Sequence, residues 1–245
     1  MQVRPDGHDP LDPVDSLEQV TGEVVSCTAC PRLVAWREQV AIEKRASFAE
    51  EEYWGRPVPG FGDPAARLLV AGLAPAAHGG NRTGRVFTGD RSGDWLFAAL
   101  WRSGYANQPT SVGADDGLLL SGCYVSAAVR CAPPANKPTV EERDRCVPYL
   151  RREIDLLGEL RVIVVLGGFA YDAVARLLGV ARRPRFGHLV ETAVLAGDRE
   201  LTLLCSFHPS QQNTFTGKLT EPMLDAVFTR ARALAGAPPA LPGAT

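Results

Sequence analysis

Apolar residues in this chain concentrate in four short, nearly continuous runs. Because these runs do not alternate with polar positions, they are typical of parallel strands that are covered on both faces. The four predicted strands cover residues 67–73, 123–129, 161–167 and 201–207.

Segments with a helical spacing of apolar residues separate these runs. The predicted helices cover residues 94–104, 139–158, 169–179 and 219–234. The second of them opens with Thr139 and Glu142, a capping-box pair that favours a helix start. The alternation of strands and helices indicates an α/β fold, a three-layer αβα sandwich with a central, mainly parallel four-stranded sheet.

Ligands of such sheets bind beyond the carboxyl ends of the strands. Three loops with unusual residue patterns follow residues 73, 129 and 207, where three of the predicted strands end. We therefore expect these loops to form one functional site at one edge of the sheet.

The length of 245 residues suits one domain with a large core. We expect a single domain over residues 21–235, an acidic disordered segment over 1–20 and a disordered tail over 236–245. No apolar run approaches the ~18 residues of a membrane span, and the first 20 residues have no apolar signal-peptide core. We therefore expect no membrane partner.

The formal net charge of −2 is a poor guide to the predicted domain. Residues 1–20 hold five of the 28 acidic and one of the 26 basic side chains, which leaves 23 acidic and 25 basic side chains elsewhere. Arginines cluster at 82–85 and 182–185. Charge therefore neither excludes nor establishes a nucleic-acid partner.

Four of the six cysteines lie in polar or loop-like surroundings, whereas Cys123 and Cys205 lie inside apolar runs and are typical of small buried hydrophobes. The four are Cys27, Cys30, Cys131 and Cys146. Four thiolates without a nearby histidine can close on one metal centre, and their spacing suits either zinc or an iron–sulfur cluster. Cysteine usage without an export signal also predicts a reducing compartment.

Four sequence anchors jointly resemble a known family. They are CTACPRLVAWRE, RPVPGFGDPAARLLVAGLAPAAHGGNRTGRVFTGD, YVSAAVRCAPPANKPT and HPSQQNTFTGKLT, with Cys146 beside them. The chain resembles the iron–sulfur branch of the uracil-DNA glycosylase superfamily, called family 5 or type b, over roughly residues 24–235. The resemblance implies that Cys27, Cys30, Cys131 and Cys146 hold a structural 4Fe–4S cluster.

The resemblance also implies a pocket that holds a base extruded from the duplex. Phe87 matches the family position whose ring stacks on that base, and the alternative is an ordinary core phenylalanine. The other expected substrate contacts are Gly72, Ala74, Arg82 and Ala127. Ala127 stands where narrow uracil glycosylases carry an asparagine that reads the pyrimidine edge, so we expect a broader choice of bases.

Cleavage of an N-glycosidic bond places negative charge on the departing base and positive charge on the sugar. We expect His208, in the HPS motif, to donate a hydrogen bond to the base carbonyl oxygen. The turn GLAPA lacks the carboxylate that helps the attacking water in families 1 and 4. Asp90 is the nearest acid on that loop and takes the electrostatic role, unless it only begins a helix. The resemblance adds Asn136 to the catalytic group.

Residues 209–218 align with the family's duplex-entering loop, whose usual wedge leucine is missing here. DNA contacts are expected from Gln211, Gln212, Asn213 and Lys218. The sequence leaves open which side chain inserts, and Phe215 is a further option. Because no lysine stands at a Schiff-base position, we expect base release without strand cleavage.

Together these features predict a monofunctional DNA glycosylase that initiates base excision repair. We expect it to remove uracil, hypoxanthine and xanthine from double- and single-stranded DNA, as a cytoplasmic, nucleoid-associated monomer. Two alternatives stay open, a narrow uracil glycosylase of the family-4 type and a non-catalytic DNA-binding module with a structural zinc. A nucleotide-binding enzyme is disfavoured, since neither GxGxxG nor a Walker sequence is present.

Overall fold

The computed structural model describes residues 15–238, so that the predicted disorder of residues 1–14 and 239–245 lies outside the described residues. Helix α1 (Leu17–Val25) begins inside the segment that was expected to be disordered as far as residue 20. Ser16 caps this helix by accepting a hydrogen bond from the Gln19 N–H at 3.1 Å. The helix is ordered because it buries Val20 and Val24 against the domain.

Six strands form one sheet, in the order β1-β3-β2-β4-β6-β5. They are β1 (Phe61–Gly62), β2 (Leu68–Gly72), β3 (Cys123–Ala127), β4 (Val162–Leu166), β5 (Glu191–Ala196) and β6 (Arg199–Ser206). The four central strands β3, β2, β4 and β6 are parallel, as the four apolar runs predict.

The predicted strand count of four is wrong, because antiparallel strands β1 and β5 cover the two edges. Strand β1 is only two residues long. Strand β5 alternates exposed and buried residues, so it has no continuous apolar run. The edge strands leave the predicted αβα architecture intact.

Eight α-helices surround the sheet within residues 15–238. Besides α1 they are α2 (Pro31–Glu43), α3 (Gly80–Thr83), α4 (Arg91–Arg102), α5 (Val140–Leu156), α6 (Gly168–Leu177), α7 (Gln211–Phe215) and α8 (Glu221–Ala235). The predicted capping box of Thr139 and Glu142 starts α5. Sequence analysis missed α1, α2 and the short helices α3 and α7.

Two apolar clusters lie on opposite faces of the sheet and make the three layers. Leu68 and Val70 of β2 pack in one cluster, together with residues of α4 and α8. Leu69 and Ala71 of the same strand pack in the other cluster, with residues of α5 and α6. The successive residues of β2 therefore face opposite layers, as the pleat of a strand requires.

The register of the parallel strands brings their carboxyl ends level. Gly72 at the end of β2 pairs with Ala127 of β3, and Leu166 of β4 pairs with Ser206 of β6. The loops after β2, β3 and β6 therefore emerge at the same edge of the sheet. Among residues 15–238, no helix is long and apolar enough to cross a membrane.

Candidate active site and four-cysteine pocket

A cleft of about 1190 Å³ lies at this edge of the sheet. The loops after β2 and β6, the start of α4 and the segment near residues 45–51 form its walls. The predicted site residues that line it are Ala74, Arg82, Phe87, Asp90, Asn136, His208, Gln211 and Gln212. The fold thus gathers residues from distant parts of the chain into one cleft.

Phe87 is held at the cleft by two glycines. Its φ of +56° is uncommon for a residue with a side chain, and only 7% of its surface is exposed. A Cβ on Gly72 would lie 2.5 Å from the ring Cζ, and a Cβ on Gly93 would lie 1.7 Å from the Phe87 carbonyl oxygen. These glycines therefore permit the close approach that fixes the ring.

His208 follows β6 and lies beside Phe87. The two ring centroids are 6.0 Å apart and the ring planes are inclined by 33°. Burial lowers the pKa of His208 to about 4, so its imidazole is neutral near pH 7. No residue in the described part of the chain hydrogen-bonds to its ring nitrogens, which leaves the imidazole N–H available to a ligand.

Asp90 both lines the cleft and caps a helix. It is the N-cap of α4, with Oδ1 accepting a hydrogen bond from the Gly93 N–H at 3.0 Å. Gly79 leaves room for Oδ2, since a Cβ there would lie 2.2 Å from that oxygen. Burial raises the pKa of Asp90, and the N–H groups of Gly93 and Ser92 offset part of this rise.

Arg82 fastens the loop that carries Asp90. Its Nε donates to the His78 carbonyl at 2.9 Å and its Nη2 donates to the Gly89 carbonyl at 3.0 Å. Its Nη1 pairs with the Glu51 carboxylate, and the guanidinium lies 4.0 Å above the Phe48 ring. Arg82 lines the cleft, but each of its nitrogens already has an acceptor.

The four cysteines of the sequence motif line a second, smaller pocket. Cys27 and Cys30 come from the connection between α1 and α2, Cys131 follows β3, and Cys146 lies in α5. Arg37 Nη1 donates to Cys131 Sγ at 3.0 Å, and the Arg130 backbone N–H donates to Cys146 Sγ at 3.2 Å. Burial raises the pKa of the Cys131 thiol, and that of Cys146 to about 12.

Residues 59–232 match the family model described as the uracil DNA glycosylase superfamily. The chain belongs to this superfamily. Its catalytic class is that of the DNA glycosylases, hydrolases of N-glycosyl bonds, as the sequence motifs predict.

Three curated relatives place the chain within the superfamily. It is 55% identical over 224 residues to a type-5 uracil-DNA glycosylase of Mycobacterium tuberculosis, and this alignment covers 90% of this chain and 82% of the relative. It is 51% identical over 214 residues to the type-5 uracil-DNA glycosylase of Thermus thermophilus, with 87% of this chain and 95% of the relative covered. It is 46% identical over 219 residues to the type-5 uracil-DNA glycosylase of Pyrobaculum aerophilum, with 89% of this chain and 93% of the relative covered. The predicted family-5 resemblance is confirmed.

Ala127 does not line the cleft of this glycosylase. Its side chain is 2% exposed and belongs to the same core cluster as Phe87 and Val125. The expectation that residue 127 faces the substrate therefore differs from the structure. Gly72 likewise acts indirectly, by making room for the Phe87 ring.

Two of the four residues expected to contact DNA have partners inside the protein. Asn213 Nδ2 donates to the His208 carbonyl at 2.8 Å, so that its amide supports the histidine. Lys218 Nζ lies 5.1 Å from the centre of the Phe207 ring, although the side chain is exposed. Gln211 and Gln212 line the cleft at the start of α7.

Asn136 lies at the rim of the cleft on an unusual turn. Ala135 and Asn136 have φ values of +52° and +56°, two consecutive left-handed residues without a glycine. Such backbone strain is typical of functional sites. The turn belongs to the loop that begins at Cys131, so the cysteine pocket and the cleft share one loop.

Sequence analysis missed the wall of the cleft formed by the segment 45–51 and His78, which Tyr53 supports. Tyr53 Oη hydrogen-bonds to His78 Nδ1 at 3.0 Å, and burial lowers the pKa of His78. The segment 45–53 has no helical or strand periodicity that could have predicted its place. His78 stands inside the quoted GLAPAAHGG motif, and its position beside two glycines was the available signal.

The residues of the cysteine pocket fit an iron–sulfur cluster in their chemistry. Four thiols and no histidine line the pocket, and two N–H groups already point at sulfur. The fit is one of donor type. Within residues 15–238, no three His, Cys, Asp or Glu side chains, these cysteines included, are arranged to hold a single metal ion.

Proposed function

We propose that this enzyme hydrolyses the N-glycosidic bond of uracil in DNA, and also releases hypoxanthine and xanthine, without cutting the strand. The observation that carries the proposal is the pairing of Phe87 with a neutral His208 in one cleft that Asp90 also lines. An aromatic face, a neutral donor and a carboxylate are the groups that base extrusion and glycosidic cleavage need.

Phe87 and His208 serve the departing base in this proposal. The Phe87 ring offers an apolar face on which a planar base can stack. The neutral imidazole donates its N–H to the base carbonyl oxygen, where negative charge develops as the bond breaks. Because the negative charge on that oxygen is larger in the transition state than in the ground state, a pre-positioned donor stabilises the transition state more.

Asp90 and Asn136 serve the sugar and the water. The Asp90 carboxylate stabilises the positive charge that develops on the sugar, while its other oxygen keeps the cap of α4. The exposed Asn136 amide, at the rim of the cleft, orients the attacking water. No lysine lines the cleft within the described residues, which agrees with hydrolysis rather than Schiff-base chemistry.

Three alanines of the cleft support a broad choice of bases. Ala74, Ala76 and Ala77 line the same cleft as Phe87 and carry no polar side chain. A site that reads a base edge through a buried amide rejects other bases because its polar group is left unpaired. Apolar walls make no such demand, so purines can stack as well as pyrimidines.

The DNA partner is double- or single-stranded, bound through the rim of the cleft. Arg45 and Arg91 line the cleft, and Gln211 and Gln212 lie at its edge. We expect a monomer that works in the cytoplasm at the nucleoid. Its affinity for DNA falls with salt as phosphate contacts release counterions.

Cys27, Cys30, Cys131 and Cys146 hold a 4Fe–4S cluster in this proposal. The bound cluster supplies a structural crosslink between the α1–α2 connection, the loop after β3 and α5. Through the loop that begins at Cys131, it fixes the turn that presents Asn136.

Base release from defined oligonucleotides tests the proposed function. Duplexes that carry uracil, hypoxanthine or xanthine, and an undamaged duplex, are incubated with the enzyme. Free base is measured directly, and strand breaks are scored before and after treatment with alkali. We expect release of all three damaged bases and strand breaks only after alkali. Release of uracil alone would overturn the broad specificity, and breaks without alkali would overturn monofunctional hydrolysis.

A further inference from the structure

Two arginines are buried beside the four-cysteine pocket. Arg37 is 4% exposed and Arg130 is 1% exposed, and both line the pocket. Arg37 Nη1 reaches Cys131 Sγ at 3.0 Å and the Cys27 carbonyl at 3.2 Å. Arg130 binds Cys146 Sγ through its backbone N–H at 3.2 Å. Each arginine therefore contacts a different sulfur.

The positive charges of these arginines are unequally balanced. Arg130 Nη2 pairs with Glu153 Oε2 at 2.5 Å, and that carboxylate is also buried and accepts from Ser126 Oγ at 2.6 Å. Among residues 15–238, the only carboxylate paired with the Arg37 guanidinium is that of Glu38, 3.7 Å away, whose side chain is 56% exposed. Arg37 thus brings a largely uncompensated charge into the interior.

Several N–H groups of the two guanidiniums also have no acceptor. Among residues 15–238, Arg37 Nε and Arg130 Nε and Nη1 are buried without a hydrogen-bond partner. Burying an unpaired cation with unsatisfied donors is strongly unfavourable. Four neutral thiols would not relieve this cost, whereas four thiolates on a metal centre carry net negative charge beside both arginines.

We propose that Arg37 and Arg130 are positioning residues for this centre, which hold the sulfurs of Cys131 and Cys146 and raise its reduction potential. The inference rests on the proposed 4Fe–4S cluster. Reduction adds one electron to the cluster, and nearby positive charge and N–H···S hydrogen bonds favour that more negative state. Glu153 opposes the effect, because its carboxylate offsets the charge of Arg130.

Variants of opposite sign test the inference on the purified, cluster-loaded protein. Arg37→Gln removes the charge, so the reduction potential should shift in the negative direction, and Arg37→Lys should restore most of the shift. Glu153→Gln removes the opposing carboxylate and should shift the potential in the positive direction. Arg151→Gln is the control. Arg151 lies in α5, as Glu153 does, but it pairs with the exposed Asp155.

Retention of the cluster gives a second readout that does not depend on activity. Under a chelator, Arg37→Gln should lose its visible absorption about 10-fold faster than Arg151→Gln, as expected for loss of a group that supports metal ligands. If the Arg37→Gln and Glu153→Gln proteins are brown and match the control in reduction potential and in bleaching rate, the inference is overturned while the proposed cluster stands. A wild-type protein without iron would overturn the proposed cluster and this inference with it.

Discussion

The rings of Phe87 and His208 lie 6.0 Å apart at the carboxyl edge of the sheet, although 120 positions of sequence separate them. Phe87 is placed by a left-handed backbone conformation and by the glycines packed against it. His208 is placed by the end of β6 and by the amide of Asn213. This pair defines where the base binds in the proposed reaction.

Asp90→Asn separates the capping role of this residue from its charge. Asparagine caps helices about as well as aspartate, so the melting temperature should stay close to that of the wild type. The single-turnover rate of base release should fall by about 10²-fold, because the charge beside the sugar is lost. Asp94→Asn is the control, since Asp94 lies in the first turn of α4 and lines the same cleft. Equal rates for the two variants would show that Asp90 only caps the helix.

The pH dependence of base release should show no titration of His208 near pH 6.5. Burial lowers the pKa of His208 to about 4, so the neutral donor is present at all higher pH values and is lost only below that value. Burial raises the pKa of Asp90, so its active carboxylate is lost on acidification at a higher pH than for an ordinary aspartate. The acid limb should therefore change in Asp90→Asn. An inflection near pH 6.5 that disappears in His208→Ala would contradict the neutral donor.

Gly72→Ala should displace the Phe87 ring. The added Cβ would lie 2.5 Å from the ring Cζ, so that the ring or the strand end must move. We expect a loss of stability of about 1–3 kcal/mol and slower base release. Gly158→Ala is the matched control, since a Cβ at Gly158 meets nothing within 4 Å. Equal stability and equal activity of the two variants would contradict the described packing of Phe87.

Phe215→Ala should weaken DNA binding. The Phe215 side chain is 69% exposed on α7, and the guanidinium of Arg91, a residue that lines the cleft, stands 4.4 Å from its ring centre. Stacking of a base on an exposed aromatic side chain contributes about 1–3 kcal/mol. Leu195→Ala removes an exposed apolar side chain from β5 and is the control. Fluorescence anisotropy with labelled duplex measures both, and equal affinities would exclude a role for Phe215.

The parallel core of the sheet could be predicted because each of its strands is a continuous apolar run. Strands β1 and β5 could not, because one has two residues and the other alternates at an exposed edge. Helix α1 was not predicted because it begins inside an acidic segment that has the composition of a disordered chain. The sequence does not show that acidic side chains next to and within this helix are paired in the fold. Arg152, for example, binds both Asp15 and Glu23.

Most of the cleft could be predicted because its residues lie in motif loops after strands. Residue 127 shows the limit of that reasoning, because which face of a strand a side chain occupies depends on register, and Ala127 faces the core. Arg37 and Arg82 each bind one partner that is distant in sequence, Cys131 and Glu51 respectively. Those two contacts could not be inferred from neighbouring residues.

The central claim is that His208 stabilises the departing base in a cleft where Phe87 holds it. It is tested most directly by the single-turnover release of uracil from a duplex, measured with the wild type and with His208→Ala. The account predicts release by the wild type and a rate lower by about 10²–10³-fold in the variant, with DNA affinity nearly unchanged. A wild type that releases no uracil, or a variant that releases it at the wild-type rate, would contradict the account.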